Sequence, residues 1–132
     1  MRLNRESSRL EKRTPVFPLR SLPARPFASD NRGMLIHSVY FWLKPELTES
    51  QRAAFVAGVE SLKAIKSIDT VYIGKPAQMP PRPVVDSSYS YALNVAFKDV
   101  AAHDAYQVDP IHLAFVNNCK MFWSRVQIYD AM

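Results

Sequence analysis

The sequence predicts an α+β domain whose elements run β-α-β-β-α-β, with the helices on one face of a four-stranded antiparallel sheet. Three observations point there. Four segments rich in β-branched and aromatic residues read as strands. The stretches after the first and third of them open on helix-capping residues and carry apolar positions at helical spacing. No such stretch separates the second strand from the third. Of the 132 residues, 48% are hydrophobic and 22% charged, which supports a single packed domain and excludes a chain disordered throughout.

The first strand runs from Ile36 to Leu43, through Val39, Tyr40, Phe41 and Trp42, and Lys44-Pro45 stops it. Thr48 with Gln51 three residues later is a capping box, opening a helix to about Leu62. Phe55, Val59 and Leu62 share one face of that helix, while Glu49, Arg52 and Glu60 face water. Ser67 to Ile73 is the second strand, ended by Gly74. A loop over 75–88 follows, with Pro76, Pro80, Pro81 and Pro83. Tyr89 to Phe97 is the third strand, with Tyr89, Tyr91, Leu93, Val95 and Phe97 on one side. Asp99 caps a short helix to about Tyr106, and Asp109-Pro110 restarts one that reaches Cys119. Trp123 to Tyr129 supplies the last strand, completing a ferredoxin-like order. No internal repeat or low-complexity tract interrupts it.

The net charge of +5 is unevenly spread. Residues 1–33 hold eight basic side chains against three acidic ones, whereas residues 34–132 balance at nine of each. Four of the ten prolines (Pro15, Pro18, Pro23, Pro26) also fall in 1–33, so this basic leader is expected to have no fold. It lacks the apolar run of a secretory signal and fits an organelle transit peptide only loosely. Met34 directly precedes the first strand and is an alternative start, which leaves 34–132 as the domain. The balanced charge of that domain speaks against nucleic acid as a partner. So does Tyr89-Ser90-Tyr91-Ala92-Leu93-Asn94, which has neither the basic residue nor the glycine of an RNA-recognition strand. No segment approaches the roughly 20 apolar residues of a membrane span, so no membrane partner is expected. The lone Cys119 cannot form an internal disulfide, reads as a buried small hydrophobe, and fits a reducing, cytoplasmic setting.

Helices on one face leave the other to be explained. In the first strand Ile36, Tyr40 and Trp42 oppose Val39, Phe41 and Leu43. In the third, Ala92 and Ala96 oppose large apolar groups. In the fourth, Trp123 and Tyr129 oppose Val126 and Ile128. A sheet apolar on both faces needs two covers. The expected partner is a second copy of the chain, sheet against sheet, giving a homodimer.

Over about residues 35–130 the chain resembles the Dabb family, the stress-responsive dimeric α/β barrel domains. The resemblance rests on His37, Val39, Phe41, Leu43 and Lys44 in the first strand; on Thr48-Glu49-Ser50-Gln51-Arg52; on Gly74-Lys75; and on Val85-Asp86 before Tyr89. Its strongest part is the run from Tyr106-Gln107-Val108-Asp109-Pro110 through Ile111-His112-Leu113-Ala114-Phe115. The family implies a ferredoxin-like subunit that pairs into a dimeric α/β barrel. Most members have no assigned activity. A plant member closes an aromatic ring on a linear polyketide without a cofactor, and its catalytic tyrosine and histidine fall on Tyr106 and His112. A further histidine falls on His37. The chain departs from that pattern at Asp109 and Tyr91, where histidines would stand, and at Val59, where a tyrosine would.

Tyr106 and His112 therefore form the candidate catalytic pair, a hydroxyl that polarises a carbonyl beside an imidazole base. The start of the last helix disfavours a charged His112, while Asp109 favours one, and the sequence leaves the balance open. His37, Tyr91 and Trp123 are candidates to line a pocket for a small hydrophobic or carbonyl-bearing molecule, with His37 also readable as a hydrogen-bonded structural residue. His103 is expected to be solvated beside Asp104. The separation of His103 and His112 by a proline-started turn is not metal-site spacing, and neither metal nor cofactor is expected. The segment Arg82 to Asp86 is expected to reach across the dimer. The functional classes left open are a small-molecule binder of unassigned activity, a cofactor-free enzyme of cyclase or monooxygenase type, and a non-catalytic structural dimer.

Overall fold

The computed structural model describes residues 33–132; the leader expected over 1–33 lies, except for Gly33, outside the described residues. Seven main elements follow in order: β1 (Leu35–Leu43), α1 (Glu49–Ser61), β2 (Thr70–Gly74), β3 (Tyr91–Phe97), α2 (Val100–Val108), α3 (Pro110–Cys119) and β4 (Trp123–Ala131). The strands form one antiparallel sheet in the order β2-β3-β1-β4. This is the ferredoxin-like arrangement, with its second helical stretch broken into α2 and α3. Among the described residues no helix is long and apolar enough to cross a membrane.

The local signals act as their chemistry requires. The Thr48 hydroxyl accepts from the Gln51 amide at 3.1 Å, and the Gln51 side chain accepts from the Thr48 amide at 2.9 Å. Asp99 accepts from the Ala102 amide at 2.7 Å, and Asp109 from the Ile111 amide at 2.8 Å. Each satisfies an amide that the first helical turn leaves without a partner. Phe55, Val59 and Leu62 are fully buried against Phe41, Leu93, Val95 and Phe97. At Gly58 a side chain is excluded, since an added Cβ would stand 2.6 Å from the Cys119 sulfur. This close approach seats α1 on α3.

Two strand starts differ from expectation. β2 begins at Thr70 and not Ser67, because the Ile68 amide turns back to the Ile65 carbonyl and ladder pairing starts only with Asp69 to Ala96. β3 begins at Tyr91 and not Tyr89. The Tyr89 ring lies edge-on to Tyr40, with centroids 5.0 Å apart, and so belongs to the face opposite Tyr91 and Leu93. A third difference lies in β4. The pairing shifts between Trp42, opposite Arg125, and Leu43, opposite Trp123. This irregularity turns Trp123 to the helix side with Val126 and Ile128, and not to the side of Tyr129. The face without helices carries Ile36, Tyr40, Trp42, Tyr72 and Tyr129 interleaved with Ser38, Asn94, Arg125 and Gln127. It is aromatic and polar together, not purely apolar.

Candidate active site

The break between α2 and α3 builds the site. Pro110 has no amide hydrogen and pushes the residue before it out of helical geometry. Asp109 accordingly sits at φ −61°, ψ 134°, ending one helix and capping the next. The resulting turn folds the last turn of α2 against the first of α3, bringing the Tyr106 and His112 rings to 4.6 Å between centroids. Tyr106 is 1% exposed. The His112 ring is held by the Gln107 carbonyl, 3.1 Å from Nδ1. A carbonyl can only accept, so Nδ1 carries the proton and Nε2 keeps the lone pair. The Asp109 carboxylate accepts from the Ile111 amide and caps α3.

His37, on the helix side of β1, is 3% exposed and donates from Nδ1 to the Asp130 carboxylate at 2.5 Å. Its ring centroid lies 6.0 Å from that of Tyr106. His37, Tyr106 and His112 share the wall of a cavity of about 380 Å³ between α3, β1 and β4. Val39, Phe41, Leu93, Trp123, Val126 and Ile128 make the rest of it mostly apolar, with Gln107 and Asn117 as further polar groups. Such a cleft suits a small organic ligand.

Of the residues expected to line a pocket, His37 and Trp123 do so; Tyr91 does not. Tyr91 lies at the other end of β3 from the partner of His37, opposite Phe41, where its ring packs on Phe55 and Lys75. His103 lies beside Asp104 but is half-buried, not solvated throughout. Its ring packs edge-on to His37 at 5.1 Å and to Phe97 at 5.5 Å, and its nitrogens meet Asp104 and Gln107. The expectation of no metal rested on the pair His103 and His112, but the fold makes a different group, His37 with His103 and Asp130. Gln107 and Asp130 escaped the sequence reading. Asp130 is assigned only by the register of β4 on β1, where it stands opposite His37.

Burial pushes the His112 imidazole below its ordinary pKa, and the nearby His37 and His103 push it further down; the Gln107 carbonyl and Asp109 oppose this and lose. Burial alone pushes the Tyr106 phenol well above its ordinary value. At neutral pH the pair is thus an imidazole able to take a proton and a hydroxyl able to donate a hydrogen bond. On the opposite sheet face, a cleft of about 310 Å³ lies among Tyr40, Trp42, Asp86, Tyr89, Arg125, Gln127 and Tyr129. Arg125 stacks over the Trp42 ring at 4.2 Å, and the Trp42 indole donates to Ser88 at 3.0 Å. The Ser88 hydrogen bonds hold the Asp86 carboxyl below its usual range.

An α+β subunit of this order, with its helices on one face of a four-stranded antiparallel sheet, belongs to the ferredoxin-like class. The chain belongs to the Dabb family: the model of the stress responsive A/B barrel domain matches residues 35–132. It is 26% identical over 95 residues to olivetolic acid cyclase of Cannabis sativa, covering 71% of this chain and 91% of that protein. A Dabb family protein with a ferredoxin-like fold from Mesorhizobium loti superposes with a TM-score of 0.61 at 25% identity, covering 76% of this chain and 96% of the other. A protein of unknown function from Bacteroides fragilis, described as dimeric and ferredoxin-like, gives 0.58 at 19% identity, covering 75% and 95%.

Proposed function

We propose that the chain forms a homodimer through the open face of its sheet and binds a small, largely apolar, carbonyl-bearing molecule in the cavity beside Tyr106 and His112. The observation that carries this reading is the polarisation of the pair. The Gln107 carbonyl fixes the His112 proton on Nδ1 and leaves Nε2 basic, beside a phenol that stays protonated, in a mostly apolar cleft. A ligand carbonyl accepting from Tyr106 acquires acidic α-hydrogens, and His112 Nε2 takes one of them; the enolate oxygen is stabilised by the tyrosine donor. The likeness to a cyclase favours a substrate with several carbonyls, on which such an enolate attacks a second carbonyl of the same molecule.

A panel of aromatic and polyketide-like compounds, followed by melting temperature and then by turnover, tests the reading. Tyr106→Phe and His112→Ala are expected to abolish α-proton exchange of a bound ketone into deuterated water while moving the melting temperature little. Loss of stability in both variants, with no exchange in the parent protein, would instead make the pair a tie between the α2–α3 turn and the sheet.

A further inference from the structure

We propose that His37, His103 and Asp130 form a site for a divalent first-row transition ion, with Zn²⁺ as the type, bordering the cavity of Tyr106 and His112 but using neither as a ligand. The three residues come from β1, α2 and β4, and one donor atom of each lies within 4.8 Å of the others. Two imidazoles and one carboxylate are the borderline donors that Zn²⁺ and Co²⁺ take, and three protein ligands leave a coordination position open.

The spacing is close to what an ion requires. Donors on a common Zn²⁺ stand roughly 3–4 Å apart, given bonds of about 2.0–2.2 Å. His37 Nδ1 and Asp130 Oδ1, now 2.5 Å apart across a shared proton, need to part by less than about 1 Å. The ion takes the place of that proton, and the neutral His37 ring carries its N–H on Nε2 instead. His103 closes from the other side.

The mobility of the ligands fits such an adjustment. His37 is fixed in the core, whereas the Asp130 side chain is 44% exposed and that of His103 17%. His103 already has an outer partner. Asp104 lies 3.3 Å from its Nδ1, and only the Gln107 amide, 3.2 Å away, occupies Nε2. Release of that amide frees Nε2 for the ion while Asp104 holds the opposite side of the ring, the carboxylate–histidine–metal relay that orients zinc ligands. A simple ion pair accounts for His37 and Asp130 alone. It does not account for a second imidazole at 5.1 Å from the first, inside a cluster otherwise made of Phe97 and Tyr106 rings.

The test is titration of the chelator-treated full chain with Zn²⁺ by calorimetry and with Co²⁺ by visible absorption. One ion per subunit is expected, at micromolar affinity or tighter, with a Co²⁺ spectrum of low coordination number. His103→Ala, at a half-buried position, should fold and weaken binding by about 10–100-fold, and Asp130→Asn should weaken it similarly. His112→Gln should bind as the parent does, which separates this site from the proposed catalytic pair. Absence of binding below millimolar concentration overturns the proposal. So does a His103→Ala protein that folds and binds Zn²⁺ unchanged.

Discussion

Alternate residues of β1 live in two different surroundings. Phe41, facing the helices, is 2% exposed, while Ile36, on the opposite face of the same strand, is 42% exposed. The chain's own helices close the covered face over β1 and most of β3, while along β4 Val126 and Ile128 stay half-open and the cavity begins. The other face is paved with rings, Tyr40 against Tyr89 and Tyr129, and Trp42 under Arg125. Phenols and indoles suit a surface that exchanges water for a partner, because each has an apolar body and a hydrogen-bonding end. The contrast teaches that one sheet can carry a cavity on its filled side and an open aromatic surface on its unfilled side, with period-two alternation keeping them apart.

The sharpest way to break that comparison is to truncate one residue from each face. Phe41→Ala, beneath Phe55, Phe115 and Trp123, is expected to cost about 3–5 kcal/mol in urea unfolding. Tyr40→Lys, its neighbour, is expected to change the stability of the isolated subunit by less than about 1 kcal/mol, yet to shift sedimentation from dimer to monomer. Equal losses of subunit stability in both variants would erase the distinction between the faces. A smaller effect sharpens it. Gly58→Ala gains about 1 kcal/mol of helix propensity but meets the Cys119 sulfur and the Phe115 ring, for a net loss of about 1–2 kcal/mol. Gly74→Ala meets nothing within 4 Å and should stay within about 0.5 kcal/mol of the parent in the same measurement.

The fold was legible because its signals are local. Thr48 and Gln51, Asp99, and Asp109 with Pro110 each announce a helix start within three or four residues. The alternation of β1 announces its two faces. Tyr106 and His112 were singled out by the family resemblance; that their rings meet is a local matter, since six residues and a proline turn suffice to join them. What sequence could not show depends on register. The irregularity that turns Trp123 inward, the swing of Tyr89 to the open face, and the approach of Asp130 and His103 to His37 are all fixed by pairing between distant segments. Tyr91 was misplaced for a related reason. Alternation gave its side of the sheet correctly but not its position along the strand, and that position puts it under α1, away from the cavity.

The finest test of the two faces is the cause of a shifted titration on each. On the covered side His112 is held below its ordinary value chiefly by burial. The unfolded chain, titrating near the usual value of about 6.5, then binds more protons than the folded one between the folded pKa and that value. Stability therefore rises with pH through this window, and it is lost as the pH falls toward the folded pKa. On the open side Asp86 is held low by the Ser88 hydrogen bonds, not by burial. Its contribution is present above the unfolded carboxylate value of about 3.9 and lost as the pH falls through the lower folded one. Ser88→Ala should bring the Asp86 titration, followed by carboxyl NMR shifts, back toward an ordinary carboxylate without disturbing His112. The His112 Cε1 resonance should keep a midpoint below about 6.5 in that variant. A His112 midpoint at or above the ordinary value would mean that Asp109 and the Gln107 carbonyl outweigh burial, removing the bias toward the neutral imidazole on which the proposed chemistry draws.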